Sequence, residues 1–215
     1  MSNLDKYIAL LEKLTNKQIR LVEEKNSDNN ILIPRRSPEE REKNHLIATN
    51  KQIQEYIKNG SKGNLDLSES PIEILPDNLI EVDGDLILSK CKNLKSLNNL
   101  KYVKGELKLS DCINLENINN LEYVGKDLNL TRCKNLKSLN NLKYVGRHLC
   151  LFSCINLKEL PNDLKIKESL YISGTSIEKL PDNLEVLGLI FLDDTPLAKN
   201  KELIKQYKKR FVMFI

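Results

Sequence analysis

From Gly63 onward, apolar and polar residues alternate in short phrases that recur along the chain: NLDLS at Asn64, DLILS at Asp85, ELKLS at Glu106, DLNLT at Asp127, HLCLF at His148, SLYIS at Ser169 and LIFLD at Leu189. Leu86, Leu107, Leu128 and Leu149 recur at one constant interval, and so do Cys91, Cys112, Cys133 and Cys154; only the last interval, from Ser169 to Leu189, is shorter by one position. Alternation of this kind is a strand signal with one face buried. A fixed period of about 20–29 residues means that each unit packs on its neighbours as one coil of a solenoid. The return segments, with Pro76, Pro161 and Pro181, show no helical periodicity and predict loops or short turns.

Before the repeats the pattern changes to helical spacing. Leu4, Ile8, Leu11 and Leu14 predict a helix over positions 1–25, and Ile31 to Ile33 predicts a short edge strand before Pro34. A second helix is announced by Ser37 as cap, Pro38 at the first position and Glu40 completing a capping box, with Leu46, Ile53 and Ile57 inward and Gly60 as the stop. The two helices are expected to cover the open end of the solenoid. After Thr195-Pro196-Leu197 the run AKNKELIKQYKKR predicts a cap helix with Leu203, Ile204 and Tyr207 inward, followed by an apolar FVMFI that packs across the last coil or pairs with its strand. The expected organisation is a helical capping region at 1–62, about seven repeats at 63–198 and a C-terminal cap at 199–215.

The LxLxxCxNL units resemble the cysteine-containing class of leucine-rich repeat. The SLYISGTSIEKLPDNLEV unit resembles the short repeats of bacterial and phage-type proteins, and the V-x-G-x-L-x-L phrase resembles receptor L domains. This resemblance, over residues 63–198, implies an α/β solenoid with a parallel concave β-sheet and a loop-rich convex side. Proteins of this kind usually bind partners on the concave face, but the fold hosts many unrelated functions.

Composition narrows the picture. The net charge of +4 is unevenly spread: residues 63–198 carry 16 Lys and Arg against 20 Asp and Glu, while residues 199–215 carry 6 against 1. No basic stripe runs along the repeats, so a nucleic-acid-binding face is not indicated there, and the Lys199–Arg210 charges read as the solvated face of a cap helix rather than a nucleic-acid or membrane contact. Asp5, Lys6, Glu12, Lys13 and Lys17 interrupt the N-terminal stretch, which reads as part of an unexported protein, cytoplasmic or in a host cell interior if the chain is viral or an effector. Five cysteines, four at one repeat position, fit buried thiols better than a disulfide framework.

The outward positions of the strands supply the candidate site. Asp66, Asp85, Glu106 and Asp127 make an acidic half that would steer a basic partner region. His148, Cys150, Phe152, Tyr171, Leu189 and Phe191 then form an aromatic and apolar group, the type of residue that anchors protein interfaces; alternatively the C-terminal tail covers Leu189 and Phe191. Cys150, His148 and Asp127 could in principle activate a thiolate, yet alternate residues on one strand face stand about 6–7 Å apart, beyond hydrogen-bond reach. The cysteine column lacks C-x-x-C spacing and reads as a structural ladder rather than a metal site. Asn93, Asn114, Asn135 and Asn156 read as stacked amides or turn caps, and His45 as a solvated residue. The expected function is noncatalytic recognition of another protein with no cofactor. The alternative is an effector or mobile-element protein acting on a host target, with thiol chemistry at Cys150.

Overall fold

The structure, a computed structural model, describes residues 37–214. The helix expected over positions 1–25 and the edge strand at Ile31 to Ile33 lie outside the described residues. The chain divides into two compact units, Met1–Lys51 and Gln52–Ile215. Helix α1 (Pro38–Lys58) runs through the division. Its start is the expected capping box: the Glu40 N–H donates to Ser37 Oγ at 3.1 Å and the Ser37 N–H to Glu40 Oε2 at 3.0 Å, so two otherwise orphaned donors of the first turn are satisfied.

The second unit is a parallel β-solenoid of about seven turns. Strands are numbered in chain order. The first sheet joins β1 (Leu65–Asp66), β3 (Leu86–Ile87), β5 (Leu107–Lys108), β7 (Leu128–Asn129), β9 (Leu149–Cys150), β11 (Leu170–Tyr171), β13 (Leu189–Phe191) and β14 (Val212–Phe214), in that order. Its register follows the repeat, with Leu65 opposite Leu86 and Leu128 opposite Leu149. The return side departs from expectation. Instead of loops alone it carries a second parallel sheet of six two-residue strands, β2 (Glu81–Val82), β4 (Tyr102–Val103), β6 (Tyr123–Val124), β8 (Tyr144–Val145), β10 (Lys165–Ile166) and β12 (Glu185–Val186). The inward Val or Ile and the outward aromatic or charged residue suit a pleated, half-buried surface, but a two-residue alternation is too short to stand out from a turn.

Stacking of identical positions fills the interior. In one coil Leu86, Leu88, Cys91, Leu94, Leu97, Leu100 and Val103 are all fully buried, and their counterparts one period on repeat the pattern. Each fully buried Leu contributes about 1.5–3 kcal/mol relative to exposure, so the core grows coil by coil. The corners that lead into the first sheet are tight. A Cβ on Gly146 would sit 1.9 Å from the carbonyl oxygen of Gly125, and one on Gly125 would sit 2.0 Å from that of Lys104. Glycine is required there by the approach of one backbone to the next.

The two ends of the first sheet are finished differently. At β1, the Gln52 side-chain amide donates to the Asp66 carbonyl at 2.8 Å, and Tyr56, buried beside Ile53, donates its hydroxyl to the carbonyls of Ser61 and Gly63. At the other end, Thr195 caps the short helix α2 (Pro196–Lys199) and Asn200 caps α3 (Lys201–Tyr207). One continuous cap helix was expected; Asn200 breaks it by taking the Leu203 N–H on its side chain at 3.1 Å. Ile204, Tyr207 and Phe211 are buried, Leu203 is partly buried, and the Tyr207 hydroxyl bonds both the carbonyl and the N–H of Leu180. The terminal apolar run pairs with the last coil as strand β14, parallel to β13, and so lies beside Leu189 and Phe191 rather than across them.

Candidate functional site

Outward residues of the first sheet form three columns, one residue per coil. The first column begins Asn64, Asp85, Glu106, Asp127, His148, Ser169. Most of its side chains are committed to the neighbouring coil. Asn64 Oδ1 accepts the Asp85 N–H at 2.8 Å, Asp85 Oδ1 the Glu106 N–H at 2.8 Å, and Asp127 Oδ1 the His148 N–H at 3.0 Å. His148 Nδ1 accepts the Ser169 N–H at 3.2 Å, and Ser169 Oγ the Leu189 N–H at 3.2 Å. Each satisfies the first exposed donor of the next strand, where the ladder itself begins too late to do so. Glu106, one methylene longer, bonds Lys108 instead at 3.2 Å. Lys126 lies 3.6 Å from Asp85 and Arg147 3.5 Å from Asp127, so each acid of this column has a cation beside it. The capping role was missed in the sequence, although a column of short acceptors recurring at the repeat interval was its signal.

His148 is fixed by the coil that follows. With Nδ1 accepting from Ser169, the ring proton is on Nε2, which faces Glu168 Oε2 at 2.7 Å. Asp127 engages the His148 backbone and Arg147, not the imidazole. The Asp127, His148 and Cys150 side chains are therefore not brought together as a relay. Cys150 is half-buried, and its thiol is pushed up to about 11 by burial first and then by the charges of Asp127 and Glu106. It is protonated at neutral pH and a weak nucleophile, because the thiolate is the reactive form.

The middle and third columns carry the aromatic group. Phe152 stands where the other coils have Ser68, Ser89, Ser110, Thr131, Ser173 and Asp193. Its ring centroid is 5.3 Å from that of Tyr171. Tyr171 stacks on Phe191 at 4.7 Å with planes 5° apart, and Phe191 stacks on Phe214 at 5.2 Å. His148 meets Tyr171 edge-on at 5.9 Å. Five rings thus cover four successive strands, β9, β11, β13 and β14, with Phe152 following β9. Phe152 and Phe214 are exposed, and Tyr171 and Phe191 are half-buried by their neighbours. Phe214 was not among the expected site residues; its inclusion follows from the parallel pairing of β14, which places it opposite Phe191.

The remaining columns are internal. The Sγ–H of Cys91, Cys112, Cys133 and Cys154 donates to the carbonyls of Leu67, Leu88, Leu109 and Leu130 at 3.0–3.1 Å. Ser70, Thr175 and Thr195 occupy the same position in the outer coils and are also buried. Asn114 and Asn156 donate to the carbonyls of Lys92 and Lys134 at 2.8 Å, the turn-capping role expected of them. Among the described residues, no group of three or more His, Cys, Asp and Glu could hold a metal ion, and no helix is long and apolar enough to cross a membrane.

No family model and no curated protein matches this chain.

Proposed function

We propose that this chain is a noncatalytic recognition protein of the leucine-rich-repeat kind, and that it binds another protein on the outer face of its first sheet. The observation that carries this reading is the unbroken row of rings Phe152, Tyr171, Phe191 and Phe214. Rigid aromatic side chains on a sheet offer large apolar contact at little cost in side-chain entropy, and such residues dominate interface energetics. Packing of the coils does not require them. The positions equivalent to Tyr171 two, three and four coils earlier are Asn129, Lys108 and Ile87, and those coils stack in the same register.

The contact residues are Phe152, Tyr171, Phe191 and Phe214, with His148 and Cys150 at the margin. Asp85, Glu106 and Asp127 lie in the other half of the face. Their local pairing leaves them to shape the field there rather than to anchor a partner. The test is a double variant, Phe152→Glu with Tyr171→Ala. Both side chains point outward, so the unfolding temperature changes little, while capture of the native partner falls at least a hundredfold. Undiminished capture by a folded double variant would remove the ridge as the binding site.

A further inference from the structure

We infer that the open edge of β14 is a second docking site, which takes an extended acidic segment of a partner protein as an added strand. The argument begins with backbone groups. Throughout the first sheet the inward residue of each strand faces the following coil: Leu86 N–H donates to the Glu106 carbonyl and Leu88 N–H to the Lys108 carbonyl. The outward residues face the preceding coil, since Asp85 and Ile87 carbonyls accept from Leu65 and Leu67. At β14 the Leu192 N–H donates to the Phe214 carbonyl at 3.1 Å, which fixes Phe214 as facing β13. Alternation along an extended strand then turns the N–H and C=O of Met213 to the free side.

The corresponding free edge at β1 is closed, because Gln52 occupies the Asp66 carbonyl. Nothing comparable reaches Met213 among the described residues. An unblocked edge is a template for another strand, and proteins normally blunt such edges. Here apolar residues are presented instead, with Val212 62% and Phe214 50% exposed.

Charge selects the occupant. Residues 199–215 hold six Lys and Arg against one Glu. Lys205, Lys208 and Lys209 are exposed and in no ion pair among the described residues, whereas Arg210 is committed to the carbonyls of Asp182 and Leu184. A second copy of the chain would bring two such basic tails together. An acidic strand would instead bond Met213, continue the ring row at Phe214 and neutralise the lysines.

The site differs from the ridge in using the backbone, and the two are separable. The probe is a fluorescent peptide with a Phe-Val-Phe centre flanked by two acidic residues at each end, titrated into the full chain. It is expected to bind saturably and to weaken with added salt. Replacing its acids with lysine should weaken binding at least tenfold, as should Lys208→Glu combined with Lys209→Glu in the protein. Met213→Pro removes the outward N–H and should lower affinity at least tenfold. A peptide N-methylated at its centre should lose as much against the unmodified protein, so the result does not depend on how the proline variant folds. The Phe152→Glu, Tyr171→Ala protein should bind the peptide as before. No binding at millimolar peptide, equal binding of the lysine or N-methylated peptide, or a dimer of the chain that the peptide does not displace would each overturn the proposal.

Discussion

The Sγ–H of Cys133 donates to the carbonyl of Leu109, 24 residues back in the chain, at 3.0 Å. Both groups are buried, and the bond ties one coil to the one before it. Cys133→Ala removes one of the two donors on this carbonyl, which keeps the Cys112 N–H at 3.2 Å, so the cost is that of one hydrogen bond, about 0.5–1.5 kcal/mol, beside a small cavity. Cys133→Ser keeps a side-chain donor at this position and is expected to recover more than half of that loss. Urea unfolding of the two variants checks this; a serine variant no more stable than the alanine one would refute the bonding role.

The buried thiols also set a pH dependence. Burial pushes Cys112 and Cys154 up to about 12, and Cys91 and Cys133 up as well. The folded state therefore keeps protons that the unfolded state gives up above the ordinary thiol value of 9.0. Stability is fully present below that value and falls as pH rises toward the folded values, by at most about 1.4 kcal/mol per pH unit for each thiol. Unfolding measured between about pH 9 and pH 10, below the lysine range, should show a steep decline. A Cys112→Ser, Cys154→Ser chain should show a shallower one.

Gly146 tolerates no side chain. Its added Cβ would overlap the Gly125 carbonyl oxygen, a backbone atom held in the neighbouring coil. Gly146→Ala should destabilise by at least about 2 kcal/mol, at the upper end of ordinary overpacking. Gly60, with only Lys62 at 4.0 Å, has space for a Cβ but a φ of +79°, so Gly60→Ala should cost only the left-handed penalty of about 1 kcal/mol. Equal effects at the two sites would contradict the close-approach account.

Charges along the first turn alternate from coil to coil. Lys90 meets Glu69 at 2.8 Å, and Arg132 grips Asp111 with two bonds of 2.6 Å. Asp111→Lys would set three cations in a row, Lys90, position 111 and Arg132. The variant should melt earlier at low salt and regain most of that loss near half-molar salt, where exposed charges are screened. A salt-independent change would point to the backbone instead, since Asp111 also holds a φ of 63°.

Much of the architecture was legible because it is carried by positions whose spacing is fixed. The inward leucines, the cysteine column and the Ser37–Glu40 box appear where periodicity and capping chemistry put them. The second sheet was not legible, since Tyr102–Val103 and its repeats are two residues long. Tyr56, which closes the entry to the first coil with its hydroxyl, escaped notice because its partners Ser61 and Gly63 lie in a turn. At the candidate site, Phe152, Tyr171 and Phe191 could be read from alternation alone. Phe214 could not, as its place depends on a parallel pairing across a helix. The capping by Asp85, Asp127 and His148 was hidden for a related reason: each acts on an N–H in the next coil, a full repeat away in the chain.

Lys92 to Val103 and Lys134 to Val145 are identical in sequence, and the coil between them carries Glu116 and Glu122 where both have lysine. Lys137 and Lys143 accordingly meet Glu116 and Glu122 at 2.8 Å. Inserting or deleting one coil within these three would set lysine against lysine or glutamate against glutamate, whereas a change of two coils would keep opposite charges facing in both columns. Over these three coils the charge pattern thus repeats every two turns, one of each sign.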